Sequence, residues 1–129
     1  MREMKTADLI GPALDWAVAD VIGAYRGVHK ICENGDPWPA WIFPGGVPFK
    51  ATTGEFKPSS DWTHGGPLIA EYRVSLEDIG IGWIATPRYC TSAAGSMTPQ
   101  DSDSLLVAAC RAIVCAGIGD TAQIPDDLA

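Results

Sequence analysis

The sequence predicts an α+β fold, with an N-terminal and a C-terminal helix packed on a small, irregular, mainly antiparallel sheet. Three observations predict it. Leu9, Ile10, Ala13, Leu14, Ala17, Val18, Val21 and Ile22 recur at the three-to-four spacing of one helical face. Residues 105–114 are apolar almost throughout, as in a helix buried on most sides. Between them, Tyr72, Val74 and Leu76 alternate as strand residues do, and residues 81–86 form another strand candidate with Trp83 on one face.

The first helix is expected from about Pro12 to Ile22, after a loose turn at Thr6. Pro12 suits a first helical turn, and Gly23 is an end signal. From Gly27 to Ser60 no helical period is present. Residues 28–32, 40–43 and 47–51 read as short strands, and Glu33-Asn34-Gly35-Asp36-Pro37 as a turn. Pro37, Pro39, Pro44 and Pro48 confine this region to sheet edges, since proline cannot donate to a ladder. Residues 67–71 form at most one helical turn after Gly65-Gly66. The small, polar residues 91–97 read as a mobile loop. The last helix is expected to start at Thr98, with Pro99 in its first turn and Asp101 at the positive end of the dipole. Gly117 and Gly119 end it, and Ile124-Pro125 with Leu128 dock the tail. No internal repeat or domain boundary appears, and 129 residues suit one domain.

The bulk composition excludes several functions. The net charge is −7, and the nine basic residues are scattered, so a nucleic-acid polymer is a poor partner. A small anion is compatible, because one Arg or Lys with a few amides can hold it. Residues 105–118 are interrupted by Arg111 and are shorter than the ~18–20 residues of a membrane span. The first residues lack the apolar core of a secretion signal. Cys32, Cys90, Cys110 and Cys115 show no C-x-x-C spacing, and His29 and His64 are the two histidines. No standard zinc pattern results, no cofactor is implied, and the cysteines read as reduced thiols.

Three segments carry a family resemblance. They are Ala13-Leu14-Asp15-Trp16-Ala17-Val18-Ala19, then Ser59-Ser60-Asp61-Trp62-Thr63-His64-Gly65-Gly66-Pro67-Leu68-Ile69, then Gly119-Asp120 with Ile124-Pro125. In this order the chain resembles the small phage proteins of the NinX family, with S-D-W-x-x-G-G-P as the most specific part. The resemblance implies a phage or prophage accessory protein in a bacterial cytoplasm, and it supplies no reaction. Family members often carry Gln where this chain has His64, which implies that the histidine is not an obligatory catalytic group.

Two clusters could bind a ligand. In the first, Ser60 and Asp61 can bond turn amides, Trp62 offers a flat ring, and His64 follows. Gly65 and Gly66 could form a small anion-binding nest. The structural alternative is a plain turn with Trp62 in the core. The second cluster is Pro37-Trp38-Pro39-Ala40-Trp41. In a polyproline helix, Trp38 and Trp41 project to one side, whereas a strand sends them to opposite sides. They could stack on a base or sugar, or seal an edge or an interface. Ser60, Asp61 and His64 have triad chemistry but are too close in sequence to converge as a triad does. No nucleophile elbow, P-loop or dinucleotide fingerprint is present, so no catalytic residue is assigned.

The sequence therefore points first to a non-catalytic protein that sequesters a small ligand, such as a cyclic or ADP-ribose-type nucleotide serving as a host immune signal. This rests on analogy with phage proteins that capture such signals. Its pocket would join Trp62, Ser60, Asp61, His64, Gly65 and Gly66 to Trp38 or Trp41, with Lys57 or Arg88 meeting the anion. The alternative is an interaction module docking on a host or phage protein, and the third reading is a hydrolase using His64 or a cysteine. Exposed prolines and tryptophans also favour a homo-oligomer. The cysteine reading is directly measurable: an intact mass under non-reducing conditions should show no loss of hydrogens, and an intrachain bridge would reverse it.

Overall fold

The computed structural model describes residues 1–23, 25–29, 38–42 and 56–128, the two short middle stretches by their backbone. The α+β class holds. Its elements are β1 (Arg2–Lys5), a 3-10 turn (Thr6–Asp8), α1 (Gly11–Ile22), β2 (Tyr25–His29), β3 (Trp38–Ile42), α2 (Trp62–Glu71), β4 (Ser75–Asp78), β5 (Trp83–Thr86), β6 (Gln100–Ser102), α3 (Leu105–Ile118) and β7 (Thr121–Ile124). Among the described residues every strand pair is antiparallel, but the strands divide into three small sheets, β1-β7, β2-β3 and β4-β5-β6, instead of one.

The first helix matches its sequence signals. Pro12 lies in the first turn, and Gly23 closes the helix at φ +82°, where its amide donates to the Ala19 and Asp20 carbonyls. The strands expected at residues 28–32 and 40–43 overlap the described strands Tyr25–His29 and Trp38–Ile42, and residues 30–32 and 43 lie outside the described residues. Pro39 is paired with Val28, which a strand tolerates where the proline nitrogen points away from its partner. The expected turn at residues 33–37 and the strand at 47–51 lie outside the described residues.

Helix α3 is the core element, as its composition predicts. Leu106, Ala108, Ala109, Cys110, Ala112, Ile113, Val114, Cys115 and Ala116 are all buried. It packs against α1, against β5 and β6, and against α2. Its start differs from expectation. Ser104 is the cap, its hydroxyl accepting from the Val107 amide at 3.3 Å. Residues 100–102, placed in the helix by the Thr98-Pro99 signal, pair with β5 as Ala85↔Gln100, Ile84↔Asp101 and Trp83↔Ser102. Strand pairing outweighs a local capping signal that serves no packed helix. Arg111, the one charge in the apolar run, sends Nε to the Leu9 carbonyl and Nη1 to the Asp101 carbonyl, both at 2.8 Å.

Residues 91–97 form a loop, as their composition predicts, and its backbone is hydrogen-bonded to the end of α3. The Thr91 amide donates to the Ala116 carbonyl and the Ser96 amide to the Cys115 carbonyl, each at 2.8 Å. The Ser92 hydroxyl donates to the Gly117 carbonyl at 2.6 Å. Ala116 and Gly117 lie in the last turn, where carbonyls have no donor within the helix, and the Cys115 carbonyl also accepts from the Gly119 amide at 2.9 Å. From the other side the Thr6 hydroxyl donates to the Gly119 carbonyl at 2.7 Å. A side chain on Gly95 would overlap the Ala116 carbonyl oxygen.

Cys90, Cys110 and Cys115 are free thiols, the last two buried, and Cys32 lies outside the described residues. Burial pushes the Cys110 thiol well up, with the nearby Asp15 charge adding to it. Gly95→Ala should lower stability by about 3 kcal/mol, from overpacking against a fixed backbone, and the Tm by roughly 10 °C. An unchanged melting curve would mean that residues 91–96 do not sit on α3.

Candidate functional site

The specific segment of the sequence builds one compact unit at the start of α2. Phe56, Pro58 and Ser59 are buried, so the chain enters the helix from the core. A turn forms where the Ser60 and Asp61 amides both donate to the Lys57 carbonyl, at 3.2 and 2.8 Å. Asp61 is the N-cap, its carboxylate accepting from the Thr63 amide at 2.9 Å. His64 Nδ1 accepts from the Lys57 amide at 3.0 Å, and its ring lies 5.5 Å from that of Phe56.

The glycine pair works differently from the sequence expectation. Gly65 and Gly66 lie inside α2, which runs through Pro67 to Glu71, and do not form an anion-binding nest. The Gly65 amide is taken by the Asp61 carbonyl at 2.8 Å. Gly65 faces inward: a Cβ there would overlap the Pro58 carbonyl and stand 2.9 Å from Leu106 Cδ2. Gly66 faces the indole, and a Cβ there would stand 3.3 Å from Trp62 Cε3. The pair lets α2 close on α3 and lets Trp62, four residues before Gly66, lie along the helix.

Trp62 is not a core residue. It is 58% exposed, with the Cε3–Cζ3 side of its ring beside Gly66. Ser60, Thr63 and Pro67 beside it are also exposed. Lys57 belongs to the same turn. Arg88 is exposed beyond the end of β5, and among the described residues no hydrogen bond or ion pair joins it to this turn. The polyproline arrangement expected for Trp38 and Trp41 is replaced by strand β3, in which these two positions fall on opposite faces. Their side chains lie outside the described residues.

Sequence reasoning missed Asp15. It lies in α1, 7% exposed, and its Oδ1 accepts from the Ser59 amide at 2.9 Å. Burial raises its pKa, while the Ser59 hydrogen bonds and the His64 and Lys57 charges pull it down. The signal was present, since Asp15 shares a helical face with Val18 and Ile22 at i+3 and i+7. A polar residue on a buried face calls for a partner. A histidine whose Nδ1 accepts from an amide carries its neutral-form proton on Nε2, which differs from the Nδ1-H orientation of a hydrolase triad. Among the described residues no cluster of His, Cys, Asp and Glu could hold a metal ion.

Taken together, the described fold is that of a small α+β protein with a helix-borne aromatic edge. The chain belongs to the family Bacteriophage P22, NinX, which it matches over residues 5–116. It is thus a phage accessory protein, and the matched span covers α1, the whole Trp62 unit and most of α3. No curated protein matches the chain. Among the described residues no helix is long and apolar enough to cross a membrane.

The Asp15 link predicts a pH signature. A carboxyl whose folded pKa is raised destabilises the fold as pH climbs from the ordinary carboxylate value through the raised one. Asp15→Asn keeps an acceptor for the Ser59 amide and removes this cost. Its stability relative to wild type should therefore rise across that window and be flat below it. Asp15→Ala leaves the buried amide unpaired and should cost about 1–3 kcal/mol. Denaturant titrations of the three proteins at several pH values test the sign.

Proposed function

We propose that this chain acts by non-catalytic binding, as an interaction protein that docks on a host or phage protein through the Trp62 edge of α2. The observation that carries the reading is the 58% exposure of Trp62 on a capped helix. Tryptophan is enriched among the anchors that dominate protein interfaces. A ring already laid along its helix loses little freedom on contact. Its neighbours Ser60, Thr63 and Pro67 supply a neutral rim, and Asp61 a single charge. A second copy of the chain using the same edge would give the homo-oligomer, and light scattering separates that case.

The other reading is sequestration of a small nucleotide-type ligand. An open indole face favours it, because a base can stack there with ~1–3 kcal/mol. Ser60 and Asp61 could meet a base or sugar edge. Its phosphate would depend on Lys57 or Arg88, since the Gly65 amide is engaged and the Asp61 carboxylate already occupies the helix start. That weakens anion binding and puts protein docking first.

Trp62→Ala should stay folded, losing about 1 kcal/mol or less for a largely exposed ring, against ~3–5 kcal/mol for a core tryptophan. Affinity capture with wild type and variant should show a partner that the variant loses. A thermal-shift series with cyclic dinucleotides and ADP-ribose tests the other reading, as a ligand at 100 times its Kd adds ~2.7 kcal/mol. Equal capture by both proteins, or an unfolded variant, would sink the docking reading.

A further inference from the structure

The three-stranded sheet has one face on α3 and one face open. Leu76, Ala85 and Gln100 stand side by side in register, with Ala85 and Gln100 buried. The next row, Glu77, Ile84 and Asp101, falls on the other face by strand alternation. Glu77 and Asp101 are exposed and Ile84 is partly so. Beside this row the β4–β5 turn carries Ile79 and Ile81, 40% and 88% exposed. The turn is a fixed one. The Asp78 carboxylate accepts from the Gly80 amide at 2.8 Å, and the Ile79 amide donates to the Gly82 carbonyl at 3.0 Å.

Within the three strands and the β4–β5 turn the charged side chains have one sign, while Arg111 of α3 meets the Asp101 carbonyl and Arg73 and Arg88 flank β4 and β5 at the ends away from the turn. Residues 75–86 and 100–104 contain Glu77, Asp78, Asp101 and Asp103 and no Lys or Arg. Among the described residues none of the four carboxylates is in an ion pair. We propose that the open face of the β4-β5-β6 sheet and its Ile79–Ile81 turn dock a protein partner whose contacting surface is basic, with Lys or Arg set around apolar residues. Exposed isoleucines supply the apolar centre of such an interface and the carboxylates its rim. Opposite charge steers the partner in and rejects wrong ones. The same carboxylates repel nucleic acid and anionic lipid. Two copies meeting through this face would set carboxylate against carboxylate. The surface shares no residue with the Trp62 edge and stands without it.

The test probe is a short peptide of alternating lysine and leucine, titrated into isotope-labelled protein and followed by backbone amide shifts. Shifts should gather at residues 77–84 and 100–103. Ile81→Ser, at a surface position that leaves the fold intact, should weaken binding about tenfold. Glu77→Gln with Asp101→Asn should weaken it several-fold, more strongly at low salt, while Asp127→Asn has no effect. The proposal is overturned if a glutamate–leucine peptide binds equally well or if Ile81→Ser changes nothing. It is also overturned if phosphatidylglycerol vesicles, or a second copy seen by light scattering, take the face instead. None of these outcomes bears on Trp62, whose capture experiment uses a different variant.

Discussion

Helix α3 runs through the middle of the packing, and the carbonyls of its C-terminal turn set terms for the chain around them. A buried carbonyl without a partner costs about 1–3 kcal/mol, roughly twice what an ordinary hydrogen bond contributes. Thr91, Ser92 and Ser96 meet the last turn from one segment, and Thr6 meets Gly119 from another. The demand of one helix end thereby fixes a segment that has no regular structure of its own. Close approach makes this possible. Gly95 lies on the Ala116 carbonyl, and a side chain on Gly117 would stand 2.7 Å from Val21 of α1. Small residues on α3 are what let its neighbours come near enough to serve it.

Arg111 performs the same kind of work at the helix middle. In a run of apolar residues a guanidinium must find acceptors, and it finds the carbonyls of Leu9 and Asp101. One of these precedes α1 and the other belongs to β6. A single side chain thus joins the N-terminal segment, the core helix and the three-stranded sheet. The sheet's inner row is held on α3, which leaves its outer row and hairpin turn as open surface.

The Trp62 unit depends on this frame from the other direction. Gly65 seats α2 against Pro58 and Leu106, and Asp15 of α1 holds the Ser59 amide just before the helix. With the inner side of the turn committed, the indole is left outside along Gly66. The motif S-D-W-x-x-G-G-P therefore reads as a device for placing a ring. Ser60 gives its amide to the Lys57 carbonyl in the turn, and Asp61 caps the helix. One glycine closes the inner contact and the other seats the ring.

The sequence by itself determined what depends on near neighbours. The spacing from Leu9 to Ile22, Pro12 and Gly23 defined α1, because periodicity, a first-turn proline and an end glycine act within a few residues. The apolar content of residues 105–114 marked the core helix for the same reason. The family was legible in three short segments, and the residues around Trp62 in one of them. Tertiary structure decided what depends on distant partners. Gln100–Ser102 became a strand because β5 was there to pair with it, despite a capping signal at Thr98. Arg2–Lys5 and Thr121–Ile124 became strands only by meeting each other across the length of the chain. Gly65 and Gly66 looked like a ligand loop and proved to be contact points, since a glycine's sequence neighbours do not reveal what presses against it. Whether Trp62 would be core or surface was open for the same reason. Burial is a property of the packed whole, and no window of the chain contains it.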